Sequence, residues 1–437
     1  MSSPLLVRGA FALALCMGGE VHAATDADLA AIRDEIRQLK ESYEARIRAL
    51  EERLKTAETL TAPPETQGSV AARVAQAEPS PAASAPPSAP APAATASGIA
   101  AFNPAISAVL QGAYINLAQD PHRYALAGFA PSGDIGPGTR SFSIAESELA
   151  LGASVDDKFA ATLVFSLAPD NSVSVEEAYG IATALPYGLT PKFGRFFSGL
   201  GYLNEQHQHN WDFYDAPLVY QAFLGGQYTN NGVQVKWVAP TDETFLEFGG
   251  ELGSGDGYPG NPRNKNGVGD GVVYVHAGGD VGASSSWRAG LSWLSTAAKN
   301  RDYAQTDVGG NDAQVSFSGK SQIAVADFVW KWAPNGNALE RNFKLQTEYF
   351  WRRESGDLTY AADGSLGLTQ TGGYRSNQSG FYVQGVYQFM PYWRVGARYD
   401  WLDPGTVTYG ANGAYFADTS FNPQRAAVMF DYTPSEF

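Results

Sequence analysis

The chain is poor in cysteine, and its one cysteine falls in a segment that export is expected to remove. Arg8 precedes the apolar stretch Ala10–Met17, which contains Cys16 and is too short to span a bilayer as a helix. Val21–Ala23 then supplies small or apolar residues before a cleavage point. Residues 1–23 are therefore predicted to be a secretory signal peptide, and the mature chain is predicted to have neither a thiol nor a disulfide.

Long apolar runs are also missing. No later stretch reaches the roughly 18 consecutive apolar residues of a transmembrane helix. The chain nevertheless has 22 Tyr, 23 Phe, 9 Trp and 47 Gly, a composition that suits strands meeting lipid through aromatic girdles. An exported, water-soluble β-sandwich is the alternative that the strand pattern must decide.

Catalytic motifs and basic charge are absent too. The sequence has no G-x-S-x-G and no H-E-x-x-H motif, so we expect no enzymatic activity. The net charge is −15, which makes nucleic acid a poor partner.

The N-terminal part of the predicted mature chain has a helical period. Residues 24–60 are predicted to form one helix with a heptad seam and one stutter, followed by an Ala/Pro/Ser-rich linker at 61–97. So narrow an apolar stripe needs partners, so we expect a periplasmic coiled coil that joins copies of the chain, a trimer in particular. A lone helix lying on the periplasmic face is the alternative. The seam positions are Leu29, Ile32, Ile36, Leu39, Tyr43, Ile47, Leu50, Leu54 and Ala57.

From about residue 98 the period changes to two. Apolar and polar or small residues alternate along Leu149–Val155 and Phe159–Leu167, and only Asp156–Lys158 separates the two runs, which predicts a hairpin. Similar short turns are predicted between later strands, and the sequence indicates about fifteen strands in all. These further turns are Asn230–Gly232, Asn335–Asn337 and Met390–Tyr392.

The connections alternate between short turns and long loops, as in outer-membrane barrels. The predicted fold is therefore an all-β transmembrane antiparallel barrel over 98–437, of about 16–18 strands when complete. A closed sheet is required because every backbone polar group must be paired in hydrocarbon. Pro434 interrupts the last apolar alternation, so Thr433–Glu436 is expected to be a periplasmic turn, with at least one closing strand missing from this chain.

Several motifs resemble a known group of proteins. Glu176–Tyr179 and Pro191–Phe196 are similar to motifs of the phosphate-selective porin superfamily. Phe102–Ser107, Leu203–His209 and Asp431–Phe437 resemble a coiled-coil-bearing subgroup often labelled zinc-regulated or TonB-dependent outer-membrane receptors. The resemblance implies an outer-membrane barrel and a chain that continues beyond the last motif. A TonB-dependent plug is not expected, because only a helix and a spacer precede the barrel.

Two sets of candidate site residues follow. His207 and His209 are two apart in the long connection 198–222, so both imidazoles could face one Zn²⁺, with Glu205, Asp212 and Asp215 as further ligands. A polar loop, or a loop folded inside the barrel to narrow it, is the alternative. Charged residues on the strands could line the pore and set up an electric field across it. The alternative is that they are ordinary charged residues on a solvated inner surface. The predicted pore-lining residues are Glu146, Glu148, Glu176, Glu177, Lys192, Arg195, Arg394 and Arg398.

The favoured function is a porin-like channel for passive diffusion of small hydrophilic solutes or ions, with no resident cofactor unless Zn²⁺ binds. The alternatives are a zinc-linked outer-membrane receptor or uptake protein, and a structural tether between outer membrane and peptidoglycan. The expected location is the outer membrane, in contact with lipid, with the coiled coil in the periplasm.

Overall fold

The computed structural model describes residues 105–130, 135–310, 312–361, 370–416 and 421–434. The predicted signal peptide 1–23, coiled coil 24–60 and linker 61–97 lie outside the described residues. Every helix in the described ranges falls short of the length and hydropathy that a membrane-spanning helix needs.

Antiparallel strands dominate the described chain. They are β1 (Ala105–Val109), β2 (Gly112–Ile115), β3 (Ser141–Ile144), β4 (Ser147–Ser154), β5 (Phe159–Leu167), β6 (Val173–Ala182), β7 (Leu189–Phe197), β8 (Thr229–Val238), β9 (Phe245–Gly253), β10 (Asp270–Val281), β11 (Ser285–Thr306), β12 (Asp312–Trp332), β13 (Asn342–Ala361), β14 (Gln370–Met390), β15 (Trp393–Thr408) and β16 (Gln424–Tyr432). Fourteen form one sheet in the order β1-β4-β5 and then sequentially to β16, while β2 and β3 pair with each other. The sequence predicted about fifteen strands, and the described residues form sixteen.

Three of the four predicted hairpin turns are confirmed. Asp156–Lys158 joins β4 to β5, Asn335–Asn337 joins β12 to β13, and Met390–Tyr392 joins β14 to β15. The turn predicted at Asn230–Gly232 is wrong, because these residues lie inside β8 and pair with β7. A β carbon on Gly232 would lie 2.1 Å from the carbonyl oxygen of Leu252, so this glycine permits close strand approach rather than a turn.

The two faces of the sheet have inverted polarity. On β13, Phe343, Leu345 and Trp351 alternate with Glu348 and Arg352, and the two charged side chains are 0% and 1% exposed. Large apolar residues of other strands are exposed on the face that carries Phe343, Leu345 and Trp351: Val273 is 59%, Leu291 62% and Val428 87% exposed. Soluble proteins bury the apolar residues and expose the charged ones. An apolar outer surface around a polar interior is the pattern of strands that contact lipid.

The sheet is strongly curled around the connection between β7 and β8. In that connection, His209 reaches Glu148 of β4 at 2.9 Å, and Asp212 reaches Arg394 of β15 at 3.3 Å. Eleven strand steps separate β4 from β15, about 50 Å in a flat sheet at roughly 4.8 Å a step. Two residues three apart span at most about 11 Å of backbone. The sheet must therefore wrap around this segment, although no pairing within the described ranges joins β1 to β16.

Candidate functional site

The connection 198–228, here called the inner loop, lies on the enclosed face of the curled sheet. It contains the helix α1 (Leu218–Leu224), whose seven residues are all buried. Pro217 precedes the helix and fixes its start, and Gly225 ends it in a left-handed conformation with φ of 71°. A helix without a polar face is expected in an enclosed position, not on a surface.

Apolar contacts and one buried carboxylate hold α1 against the enclosed face of the sheet. Tyr220 packs edge-on against Phe350 of β13, with ring centroids 5.1 Å apart, and Phe223 stacks on the same ring at 6.0 Å. The Tyr220 hydroxyl donates to Glu348, 3.0 Å from each carboxylate oxygen, and Arg352 donates to the carbonyl of Ala222 at 3.1 Å. Aromatic packing and charge-assisted hydrogen bonds together hold the helix at β13–β15.

The middle of the inner loop carries two histidines that face an acidic wall, the side chains of Glu148, Glu176 and Glu177 on the enclosed face of the sheet. His207 places Nδ1 3.2 Å from both Glu148 and Glu176, and Nε2 3.0 Å from Glu177. His209 places Nδ1 2.9 Å from the other oxygen of Glu148, and its ring stacks on that of His207 with centroids 5.7 Å apart. The sequence alone did not show that these histidines would meet carboxylates from β4 and β6.

This acidic surrounding keeps His207 protonated. Burial alone would favour the neutral ring, but the hydrogen bonds to Glu148, Glu176 and Glu177 outweigh it and raise the pKa of His207 to about 12. Both ring nitrogens face carboxylates, as suits a doubly protonated imidazolium. The same arrangement could hold a cation in place of the protons, because Glu148, Glu176 and His207 each offer a ligand atom within 4.8 Å of the others.

The next part of the inner loop carries two aspartates against a basic wall. Asp212 accepts from Lys344 at 2.9 Å and from Arg394 at 3.3 Å. Asp215 accepts from Arg398 at 2.5 Å and also from Arg425. Asp212 and Asp215 therefore do not complete a metal site with the histidines, as the sequence had suggested they could.

Glu205, the third suggested ligand, is also occupied elsewhere. Its carboxylate lies 2.5 Å from Nζ of Lys236 on β8. Burial would raise the pKa of Glu205, but the charges of Lys236 and Lys192 outweigh it and lower this pKa to about 2. The inner loop thus presents positive charge to the acidic strands and negative charge to the basic ones.

Seven of the eight predicted pore-lining residues lie on the enclosed face. Glu146 accepts from Ser166 at 2.8 Å, and Nζ of Lys192 lies 4.5 Å above the ring of Tyr179. Arg195 is the exception, because an odd separation from Lys192 puts it on the opposite face of β7. There it donates to the carbonyl of Val175 at 2.9 Å. Whether the other seven line a conducting pore stays a prediction.

Sequence reasoning missed several partners of the inner loop. Lys236 was not among the predicted site residues, because alternation along a strand does not show which residue of a distant connection its side chain meets. Lys344 of β13 and Arg425 of β16 were not among the predicted pore-lining residues, although both lie on the enclosed face with Arg394 and Arg398. Alternation along β15 and β16 could have found Arg425, which pairs across the strands with Asp400.

No family model matches the chain. An uncharacterized protein of Aquifex aeolicus (strain VF5) is 30% identical over 319 residues, covering 68% of this chain and 62% of that protein. This chain therefore spans less than two thirds of that relative's length.

Three similar solved structures are OmpT and OprB, two outer-membrane proteins, and the outer membrane channel DcaP. A loop L8 deletion mutant of OmpT from Vibrio cholerae has a TM-score of 0.37 at 12% identity, covering 76% of this chain and 100% of that one. OprB of Pseudomonas putida gives 0.33 at 10% identity, covering 75% and 94%. The outer membrane channel DcaP of Acinetobacter baumannii gives 0.29 at 11% identity, covering 77% and 98%.

Proposed function

We propose that this chain forms an outer-membrane channel for small hydrophilic solutes or ions, and that the inner loop narrows its lumen. The observation that carries the proposal is the inverted polarity of the curled sheet. Charged side chains such as Glu348 and Arg398 are enclosed while Leu291 and Val428 are exposed, which suits a cylinder in lipid with a polar interior. Lipid is the partner that this outer surface requires.

The inner loop supports a narrowed rather than a wide lumen. Its charges pair with both walls, so the transverse field of the bare wall is largely neutralised while the loop is docked. Solutes would pass beside the loop or after it moves. We retain the resemblance to the phosphate-selective porin superfamily as part of this proposal, without its phosphate selectivity, because the enclosed face carries acidic and basic groups together.

Single-channel recording with cysteine labelling tests the channel directly. Thr162 lies on the enclosed face of β5, and its neighbour Ala161 lies on the opposite face. We expect the full-length wild type to conduct in planar bilayers. A charged methanethiosulfonate reagent should lower the conductance of Thr162→Cys and leave Ala161→Cys unchanged, with unmodified wild type as the reagent control. Absence of conductance from folded, inserted protein would refute the proposal.

A second candidate, zinc-linked uptake or reception, is favoured by one observation. The ligand atoms of Glu148, Glu176 and His207 converge within 4.8 Å, and His209 adjoins them. We expect Zn²⁺ to bind more weakly to a His207→Ala/His209→Ala double variant if this function operates. Equal affinities would remove it.

The roles proposed for the N-terminal helix need their own tests, because residues 24–60 lie outside the described ones. Trimer formation predicts that deleting 24–60 lowers the oligomer mass. Tethering to peptidoglycan predicts that the same deletion loosens the envelope without changing solute uptake.

A further inference from the structure

A second group of ionisable residues lies in one cross-strand row on the enclosed face, away from the two histidines of the inner loop. The row crosses five neighbouring strands, and each member is the direct register partner of the next. Its members are Glu247 of β9, His276 of β10, Gly290 of β11, Asp327 of β12 and Glu348 of β13. Among four ionisable residues, the single glycine leaves a gap in the middle of the row.

The gap is lined by groups whose hydrogen-bonding capacity is unused. A β carbon on Gly290 would lie 2.1 Å from Oδ2 of Asp327 and 2.7 Å from Cδ2 of His276. The carboxylate and the imidazole therefore lean over the glycine side by side. His276 is 0% and Asp327 4% exposed, yet Nε2 of the histidine and both carboxylate oxygens have no hydrogen-bond partner. Buried polar atoms in this state are costly unless something binds them.

The orientation of His276 is the one that metal-ligating histidines adopt. Its Nδ1 lies 3.0 Å from a carboxylate oxygen of Glu247, a contact that favours the tautomer with its proton on Nδ1 and with Nε2 free to act as a ligand. Histidines that bind metals usually donate their other ring N–H to a carboxylate in this way. Tyr274 stacks on the ring with centroids 4.9 Å apart and limits its rotation.

The charges around the gap favour a cation. Asp327 faces Glu348 directly across β12 and β13. A bound cation would relieve the repulsion that arises when both carboxyl groups are ionised. The nearest cationic group is Arg288, whose Nη1 is 3.8 Å from Oδ1, too far for a hydrogen bond. Oδ2 of Asp327, on the side of the histidine, stays uncompensated.

We propose that His276 Nε2 and the Asp327 carboxylate bind one divalent transition-metal ion of the Zn²⁺ type above Gly290, with water completing its coordination. Imidazole nitrogen and carboxylate oxygen are both ordinary zinc ligands, each at about 2.0–2.2 Å. Glu247 acts as the orienting carboxylate behind the histidine. The site lies on β10–β12 and is independent of the channel proposal, so either can fail alone.

Zinc stoichiometry of the folded full-length protein tests the site. Equilibrium dialysis against Zn²⁺ should show one fewer bound ion in His276→Gln than in wild type. Gly290→Ala should show the same loss, because the added methyl group would lie 2.1 Å from Oδ2 of Asp327 and would displace this ligand from the site. Gly250→Ala is the matched control, since a β carbon there meets nothing within 4 Å. It should bind as wild type does.

Anomalous diffraction from wild-type crystals locates the ion directly and does not depend on the folding of His276→Gln or Gly290→Ala. Crystals of wild type soaked in Zn²⁺ should show an anomalous peak between Nε2 of His276 and Asp327. Equal stoichiometry in wild type, His276→Gln and Gly290→Ala would overturn the proposal. So would anomalous density found only at Glu148, Glu176 and His207.

Discussion

Docking of the inner loop should weaken as pH rises, because His207 must stay charged to hold the acidic wall. The ring has a pKa of about 12 in the docked state, against about 6.5 when the loop is free. A raised pKa contributes stability that is fully present below pH 6.5 and is lost as pH rises towards the docked value. Above pH 6.5, the free energy that stabilises the docked loop falls by at most about 1.4 kcal/mol for each pH unit.

Between pH 6.5 and pH 8.5 docking loses up to about 3 kcal/mol, which corresponds to an undocked population roughly 100-fold larger. Hydrogen exchange of the segment around His207, corrected for the intrinsic rate at each pH, measures this population. Amides of β12 and β13 should keep their protection, because the strand ladder does not depend on this ring.

Two variants separate the titration of this ring from other pH effects. His207→Gln removes the titrating group, so its loop should exchange faster at pH 6.5 and should show little further change up to pH 8.5. His122→Gln alters an exposed histidine in a short turn and should behave as wild type. Protection of the wild-type loop that does not change with pH, or an equal pH dependence of exchange in His207→Gln, would refute the role of His207 in docking the inner loop.

Three further outcomes follow from the same contacts. Val273→Arg places a charge on the exposed apolar face, so it should lower the free energy of unfolding in lipid by up to about 2–4 kcal/mol and impair insertion into bilayers. Leu339→Arg changes an exposed turn and should have no such effect. Equal folding yields of the two variants in lipid would contradict a lipid-facing surface. Tyr220→Phe removes a hydroxyl from a buried glutamate of β13 and should lower stability by about 1–3 kcal/mol in urea unfolding, and an unchanged midpoint would exclude that anchor. Asp212→Asn frees two basic side chains and should shift the reversal potential towards anion preference, while Asp242→Asn in an exposed turn should not; the shift would be absent if the docked loop did not border the ion path.

The structure also changes what the sequence suggested about the histidines. Their spacing of two predicted a shared face, and the two rings do stack on each other. What surrounds them comes from Glu148 on β4 and from Glu176 and Glu177 on β6, which are about thirty to sixty positions away. Side-chain alternation in the loop carries no information on these partners, so metal binding and ion pairing could not be separated beforehand.

Sequence alone determined the strands, most of the short turns and the polarity of the two faces. A period of two, interrupted by tight turn residues, leaves little freedom once one face must be apolar. The false turn at Asn230–Gly232 shows the limit of that reasoning, because turn-forming residues also occur where two strands approach closely.

Tertiary structure alone decided where the inner loop lies and what it touches. Curling of the sheet brings β4 and β15 to one short segment, so that His209 and Asp212 meet opposite charges on distant strands. It also aligns His276, Gly290 and Asp327 in one row, a result of strand register that no local pattern contains. Contacts of this kind depend on the summed geometry of many strand pairs, whereas the strands themselves depend only on their neighbours in sequence.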